Sequence, residues 1–389
     1  MGHWTPCFSS LFLAKRRTRE HASRRSIASS GRMASFPTPN SRGTRTSCRR
    51  QRFGRWHREP ASVSSRCTGV LKTTRSTSEN LSEQEFVVRS SRLSGPWAYF
   101  VLTLGWSWLF WIVAIVLSQP AGSLLTLLLI AMGGLGPAIT GISLTYLTRG
   151  PAGRRDYWRR VIDFKRIGLR WYAVIFLLHP LLAALAVATG LLSGESLPAF
   201  DQTAGYLAAP LSLLGFVVFT LFFGPVPEEL GWRGYVLDRL QARWSALTSS
   251  LVLGIVHVAW HLPLFFIAAH PIGHVFPMGS VRFWLDFVAG TVVLAVMLTW
   301  LYNNTGRSTL AAILFHFMGN FTGEFLELPD PLRQYQTLWS IALAVAVVLV
   351  WNSKTMTRRR PGPAWADAYR RGAGARAAPA PAPYESERR

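Results

Sequence analysis

Three short stretches of this chain place acid–base side chains inside strongly apolar sequence. The first reads Gly224-Pro225-Val226-Pro227-Glu228-Glu229-Leu230-Gly231-Trp232-Arg233-Gly234-Tyr235. On a helix Glu229 and Arg233 share a face at i,i+4 with the acid first, the favourable order for an ion pair. Glu228 points about 100° away from Glu229. It has no partner in the local sequence and is left free for chemistry. Pro227 suits the first helical position, which would put both acids in the first turn, where the helix dipole favours their charge. The second stretch, residues 254–266, places His257 and His261 on one helical face, and the third, residues 314–321, does the same with His316 and Asn320. One buried histidine is usually a satisfied core residue. Three histidines, an asparagine and two acids on three apolar segments form a functional set by default, because ionisable groups within a membrane are costly.

Membrane-spanning helices must position these stretches. A helix needs about 20 predominantly apolar residues to cross the hydrocarbon core. Eight segments qualify: 97–118, 123–147, 171–192, 210–226, 246–268, 283–302, 308–325 and 335–351. Trp97, Trp171 and Trp351 stand at segment ends, where amphipathic rings favour the interface. Basic loops alternate with basic-poor ones along the chain, as eight crossings with both termini cytoplasmic require. The loop over 148–170 holds eight Lys/Arg, for example, whereas the one after residue 192 holds Glu195 and Asp201. At 1.5 Å per residue, Glu228, His261 and His316 lie roughly 18, 22 and 12 Å from the cytoplasmic ends of their helices, so they share a level in the membrane. His179, Asp286 and Glu324 read as structural or interfacial.

Composition agrees with this assignment. The chain has 389 residues, 49% hydrophobic and 16% charged, with a formal net charge of +23. A soluble domain is about 25% charged, and a disordered chain is poor in large apolar residues. The positive charge is not a nucleic-acid footprint, because most of it lies in two flanks. Residues 1–92 carry a net +14 and residues 354–389 a net +6, leaving +3 on the core between them. Three regions follow: a basic arm at 1–92, a membrane domain at 93–353 and a basic cytoplasmic tail at 354–389. The arm reads as disordered, as an organelle transit peptide, or as the product of a start codon placed too far upstream. Cys7, Cys48 and Cys67 all lie in it, so the membrane domain has no thiol nucleophile, disulfide or thiolate-held metal.

The motifs resemble those of the CPBP (Abi) family of intramembrane endopeptidases related to the CAAX prenyl proteases. Glu228, Glu229 and Arg233 match its Glu-Glu-x-x-x-Arg motif. His261 with the following Leu-Pro-Leu-Phe-Phe matches the second motif, except that His257 replaces the usual Phe or Trp. His316 and Asn320 match the third, His-x-x-x-Asn. The resemblance covers the membrane core, residues 93–353. It implies an all-α, polytopic fold of about eight transmembrane helices, with an intramembrane active-site cavity open toward cytoplasm and bilayer. The implied partners are the lipid bilayer and a membrane-associated peptide or protein substrate, with no nucleic acid.

Signatures of other intramembrane proteolysis are missing: there is no His-Glu-x-x-His, Gly-x-Gly-Asp or Gly-x-Ser-x-Gly. What remains is water activated by a carboxylate. Glu228 is the expected general base, with His261 positioning and deprotonating that water. Glu229, paired with Arg233, holds the local geometry or orients a histidine. His316 and Asn320 donate to the oxyanion. The resemblance supports these roles and favours metal-free chemistry, so no cofactor is expected. A zinc-dependent protease would use Glu228, His261 and His316, with His257 as a further ligand. Transport also places charges inside a membrane, but the chain shows no inverted repeat. A non-catalytic immunity or scaffold protein on the same fold is disfavoured because every residue assigned to catalysis is intact.

Overall fold

A computed structural model describes residues 93–118, 123–267 and 281–358. The basic arm expected at 1–92 and the tail beyond residue 358 lie outside the described residues. The rest is helical: α1 (Pro96–Leu117), α2 (Leu124–Gly134), α3 (Gly136–Thr148), α4 (Pro151–Ile162), α5 (Leu169–Leu192), α6 (Asp201–Ala208) and α7 (Pro210–Phe222). There follow α8 (Pro225–Gly231), a π-helical turn (Trp232–Val236), α9 (Leu237–Gln241), α10 (Ala246–His261), α11 (Val281–Asn304), α12 (Thr309–Leu326) and α13 (Asp330–Trp351). No strand occurs among the described residues.

The starts of these helices are written in the sequence. Ser123, Ser245 and Ser308 accept hydrogen bonds from the backbone N–H groups of Thr126, Thr248 and Ala311, capping α2, α10 and α12. Proline opens α1, α4, α7 and α8, where its missing N–H costs nothing. α8 begins at Pro225, two residues before the Pro227 start expected above, and its first turn contains Glu228.

All eight segments expected to span the membrane are helical. Six spans are long and apolar enough singly, and α2 with α3, bent by 41°, makes a seventh when taken as one. The remaining expected span, α12, has 18 residues and falls short by apolarity. His316, Asn320 and Glu324 are the cause, because their polar side chains lower its hydropathy. Large apolar side chains such as Val116, Leu181, Leu211 and Leu349 face outward, as a bilayer-embedded surface requires. The protein is a multi-pass membrane protein.

Two close approaches set the frame around α8. A Cβ on Gly231 would lie 2.3 Å from the Pro137 carbonyl oxygen and 2.1 Å from Tyr99 Oη, so only glycine lets α3 lie this near. Across the same seam a Cβ on Gly141 would lie 2.9 Å from Gly231 Cα. Small residues facing each other in this way are the usual means of close helix packing in membranes. The π-helical turn follows at once, and such turns collect at functional sites because they re-aim side chains.

Below the turn sits a buried ionic knot. Asp238 accepts from Arg160 Nη1 (3.0 Å), Tyr302 Oη (3.0 Å) and Arg307 Nε (3.0 Å), with a further contact from Arg307 Nη2. Arg160 Nη2 also donates to the Gly234 carbonyl at 2.9 Å, inside the π-helical turn. In the sequence Arg160 and Arg307 count only as charges of basic loops. In the fold Arg160 is fully buried and ties α4 to α9 and α11. Removing the shared carboxylate takes one acceptor from each arginine, although Arg160 keeps Asp156 at 3.3 Å, so Asp238→Ala should cost about 1–3 kcal/mol. Denaturant unfolding in detergent checks this; stability within about 0.5 kcal/mol of the parent would contradict it.

Candidate active site

The three expected stretches meet. α8 presents Glu228 and Glu229, α10 presents His257 and His261, and α12 presents His316 and Asn320. Each acid receives one histidine. His257 Nε2–H donates to Glu228 Oε2 at 2.7 Å, and His316 Nδ1–H donates to Glu229 Oε1 at 2.9 Å. Glu229 also accepts from Arg233 Nη1 at 2.9 Å and 3.0 Å, through both carboxylate oxygens. Glu229 and Arg233 are fully buried, while Glu228 is 7% exposed. The two neighbouring acids therefore differ in kind. Glu229 is saturated by a cation and a ring N–H, whereas Glu228 keeps one oxygen uncommitted.

That oxygen has a defined outlook. A Cβ on Gly224 would lie 4.0 Å from Glu228 Oε1 and 3.4 Å from Asn320 Nδ2. The carboxylate oxygen and the amide thus both border the space beside Gly224. His261 donates Nδ1–H to the His257 carbonyl at 3.0 Å, which leaves Nε2 as the lone-pair nitrogen of the neutral ring. His257 and His261 have ring centroids 4.8 Å apart, and His257 and His316 6.3 Å. Two further donors of Arg233, Nε and Nη2, are buried without a protein acceptor.

An aromatic shell holds the histidines. Trp232 and Trp260 pack 5.4 Å and 5.7 Å from the His257 ring, and Trp260 lies 4.6 Å from His261. Trp260 is itself fixed, because its Nε1–H donates to Ser107 Oγ at 2.7 Å, and Ser107 donates onward to the Gly133 carbonyl. α1 thereby sets the position of a ring that bears on both histidines of α10.

Glu228, Glu229, Arg233, His261, His316 and Asn320 are all brought to one place. The i,i+4 pairing of Glu229 with Arg233 forms as expected. Glu228 has no partner in its local sequence, as expected, but the fold supplies one from another helix. His257, a departure from the motif in the sequence, holds it. Its position one helical turn before His261 was the available signal, but partnership with an acid on another helix is a tertiary fact. The metal-ligating set also differs from the expected one. One donor atom each from Glu228, His257 and His261 lie within 4.8 Å of one another, while His316 turns to Glu229.

Residues 210–322, which contain all these side chains, match the family described as type II CAAX prenyl endopeptidase Rce1-like. The protein called CAAX prenyl protease 2 from Methanococcus maripaludis is 28% identical over 259 residues, covering 66% of this chain and 94% of that protein.

The buried Glu229–Arg233 pair should behave as a unit. Arg233→Met leaves Glu229 buried with His316 alone and should cost about 3–5 kcal/mol. The double variant Glu229→Gln with Arg233→Met should recover part of that loss. Unfolding of the two single variants and the double measures the coupling, and additive losses would show that no coupling exists.

Proposed function

Because the chain belongs to the CPBP family of CAAX prenyl protease-related membrane endopeptidases and is a peptidase, we propose that it hydrolyses a peptide bond with water activated by Glu228. The observation that carries this reading is the asymmetry of the two acids. Glu229 is fully engaged, while Glu228 has one oxygen held by His257 and the other turned to the space that Asn320 also faces.

The steps follow from this geometry. Water between Glu228 Oε1 and the lone pair of His261 Nε2 loses its proton to the carboxylate as its oxygen attacks the scissile carbonyl. The tetrahedral oxyanion takes hydrogen bonds from Asn320 Nδ2 and His316 Nε2–H. His316 supplies the second bond as an imidazolium, because its Nδ1–H is already given to Glu229. The proton on Glu228 then passes to the leaving amine. Glu229 and Arg233 stay out of these transfers and fix His316. Burial excludes bulk water, which strengthens each of these interactions.

The substrate is a membrane-associated peptide or protein, since the base lies on a membrane-embedded helix. The names of the matching family and of the methanococcal protein point to prenylated CAAX tails as the first class to assay. We place both termini in the cytoplasm, on the alternation of basic loops.

A second reading has its own observation. Glu228, His257 and His261 offer three nitrogen and oxygen donors within 4.8 Å, a set that suits zinc. Zinc held there would supply Lewis-acid activation of water, and His316 and Asn320 would keep their roles toward the oxyanion.

Cleavage of a prenylated CAAX peptide by purified protein in lipid nanodiscs tests both readings. Glu228→Gln should abolish turnover. His316→Ala and Asn320→Ala should each lower kcat by about 10²–10³-fold, the effect of removing an oxyanion donor. Full activity in Glu228→Gln would refute the glutamate base. Loss with a chelator, restored by zinc, would establish the metal reading instead. His257→Phe, which restores the aromatic residue usual in the family, should lower kcat with little change in KM if His257 aims Glu228. An unchanged kcat in that variant would remove His257 from the mechanism.

A further inference from the structure

The break between α7 and α8 leaves backbone carbonyls without donors. α7 ends at Phe222, and Gly224, at φ −136° and ψ −89°, is not helical. In a continuous helix residues 224, 225 and 227 would donate to the carbonyls of Thr220, Leu221 and Phe223. Pro225 and Pro227 have no N–H to give. The Gly224 N–H does not bond to Thr220, and no other backbone N–H among the described residues replaces these donors. The ladder resumes where the Glu228 N–H donates to the Gly224 carbonyl at 3.1 Å.

The place of this break makes it costly. It interrupts one long apolar span, Pro210–Gln241, roughly 21 Å from one end and 26 Å from the other. At that depth open backbone is tolerated only where it is buried in protein or lines a wet cavity. Phe222 and Phe223 are exposed, whereas Thr220 and Pro225 are buried, so the break joins the outer surface to the interior. On the inner side it meets the catalytic groups. A Cβ on Gly224 would lie 3.6 Å from the Thr220 carbonyl oxygen, 3.4 Å from Asn320 Nδ2 and 4.0 Å from Glu228 Oε1. One stranded carbonyl therefore borders the same space as the acid and the amide.

We infer that this break docks the main chain of the substrate: extended peptide beside the scissile bond donates its N–H groups to the carbonyls of Thr220, Leu221 and Phe223. The inference rests on the peptidase reading above and adds how the peptide is held. Two deficits complement each other here. A peptide that brings its scissile carbonyl to Asn320 carries neighbouring N–H groups into apolar surroundings, where an unpaired N–H is costly. The last turn of α7 has carbonyls without donors, at the negative end of its dipole. A helical substrate segment would spend its N–H groups internally, so the peptide must be unwound at the cut. Proline beside the scissile bond would remove a donor and weaken binding.

The experiment is a backbone ester scan of a fluorescent, prenylated CAAX peptide analogue. A ketomethylene group replaces its scissile amide, so that it binds without being cut. Each remaining N–H is exchanged in turn for oxygen, and Kd is measured on the full chain in lipid nanodiscs. Esters at the one or two positions next to the scissile bond should raise Kd about tenfold, and those elsewhere by less than about twofold. Pro225→Ala supplies an N–H for the Leu221 carbonyl and should weaken the all-amide analogue by about tenfold. Gly224→Ala sets a methyl group 3.6 Å from the Thr220 carbonyl oxygen, with no contact closer than 3.4 Å, and should weaken it likewise. That variant, with the scan on the unmodified protein, decides the question should Pro225→Ala fail to fold. A flat scan with the all-amide analogue bound would overturn the inference while leaving the substrate class standing. Unchanged binding in both folded variants would do the same. Failure of every analogue to bind would instead refute the prenylated-peptide reading, and the inference with it.

Discussion

The carboxylate of Glu229 is the interaction on which the site depends. It is fully buried, accepts from Arg233 on its own helix and from His316 on α12, and so binds two helices that are distant in sequence. A buried carboxylate is tolerated only when its lone pairs are satisfied. Here satisfaction requires both the π-helical turn that carries Arg233 and the register of α12 that carries His316. Once those are fixed, Asn320 follows one helical turn after His316, and Glu228 follows from its place beside Glu229. The placing of the other polar side chains thus depends on an acid that is itself fully engaged by protein groups.

The surroundings serve that constraint from below and from the side. The knot of Asp238 with Arg160, Tyr302 and Arg307 anchors the turn to α4 and α11. Gly231 and Gly141 let α3 press against α8 with no side chain between them. Trp260, held through Ser107 to α1, sets the level of His257 and His261. Polar contacts in this fold cluster at the active site and at the Asp238 knot, while the outer faces of α1, α5, α7 and α13 carry apolar side chains for lipid. Helices in a bilayer gain little from hiding apolar surface from one another. Close glycine contacts and buried ion pairs therefore specify the packing.

Much of this was legible in the residues. The apolar runs located the helices, since a backbone in lipid must satisfy its own hydrogen bonds and helices do so locally. Serine caps and opening prolines marked the starts of several helices. The i,i+4 spacing of Glu229 and Arg233 announced their ion pair, because both ends of that contact lie on one helix. What failed to show were relations between helices. Arg160 and Arg307 looked like loop charges because a sequence does not show that Asp238 lies between them. His257 looked like a departure from a motif because Glu228, its partner, is 29 residues earlier on another helix.

The sequence by itself determined that this is a helical membrane protein and which of its apolar segments carry ionisable side chains. These are local properties, fixed by hydropathy, periodicity and rise per residue. Only the tertiary structure decided which histidine serves which acid, and so which acid keeps an oxygen without a hydrogen-bond partner among the described residues. The two carboxylates are adjacent in the chain and chemically identical. Their difference arises from what α10 and α12 bring to each, and that depends on lateral packing, which no spacing within a single helix encodes.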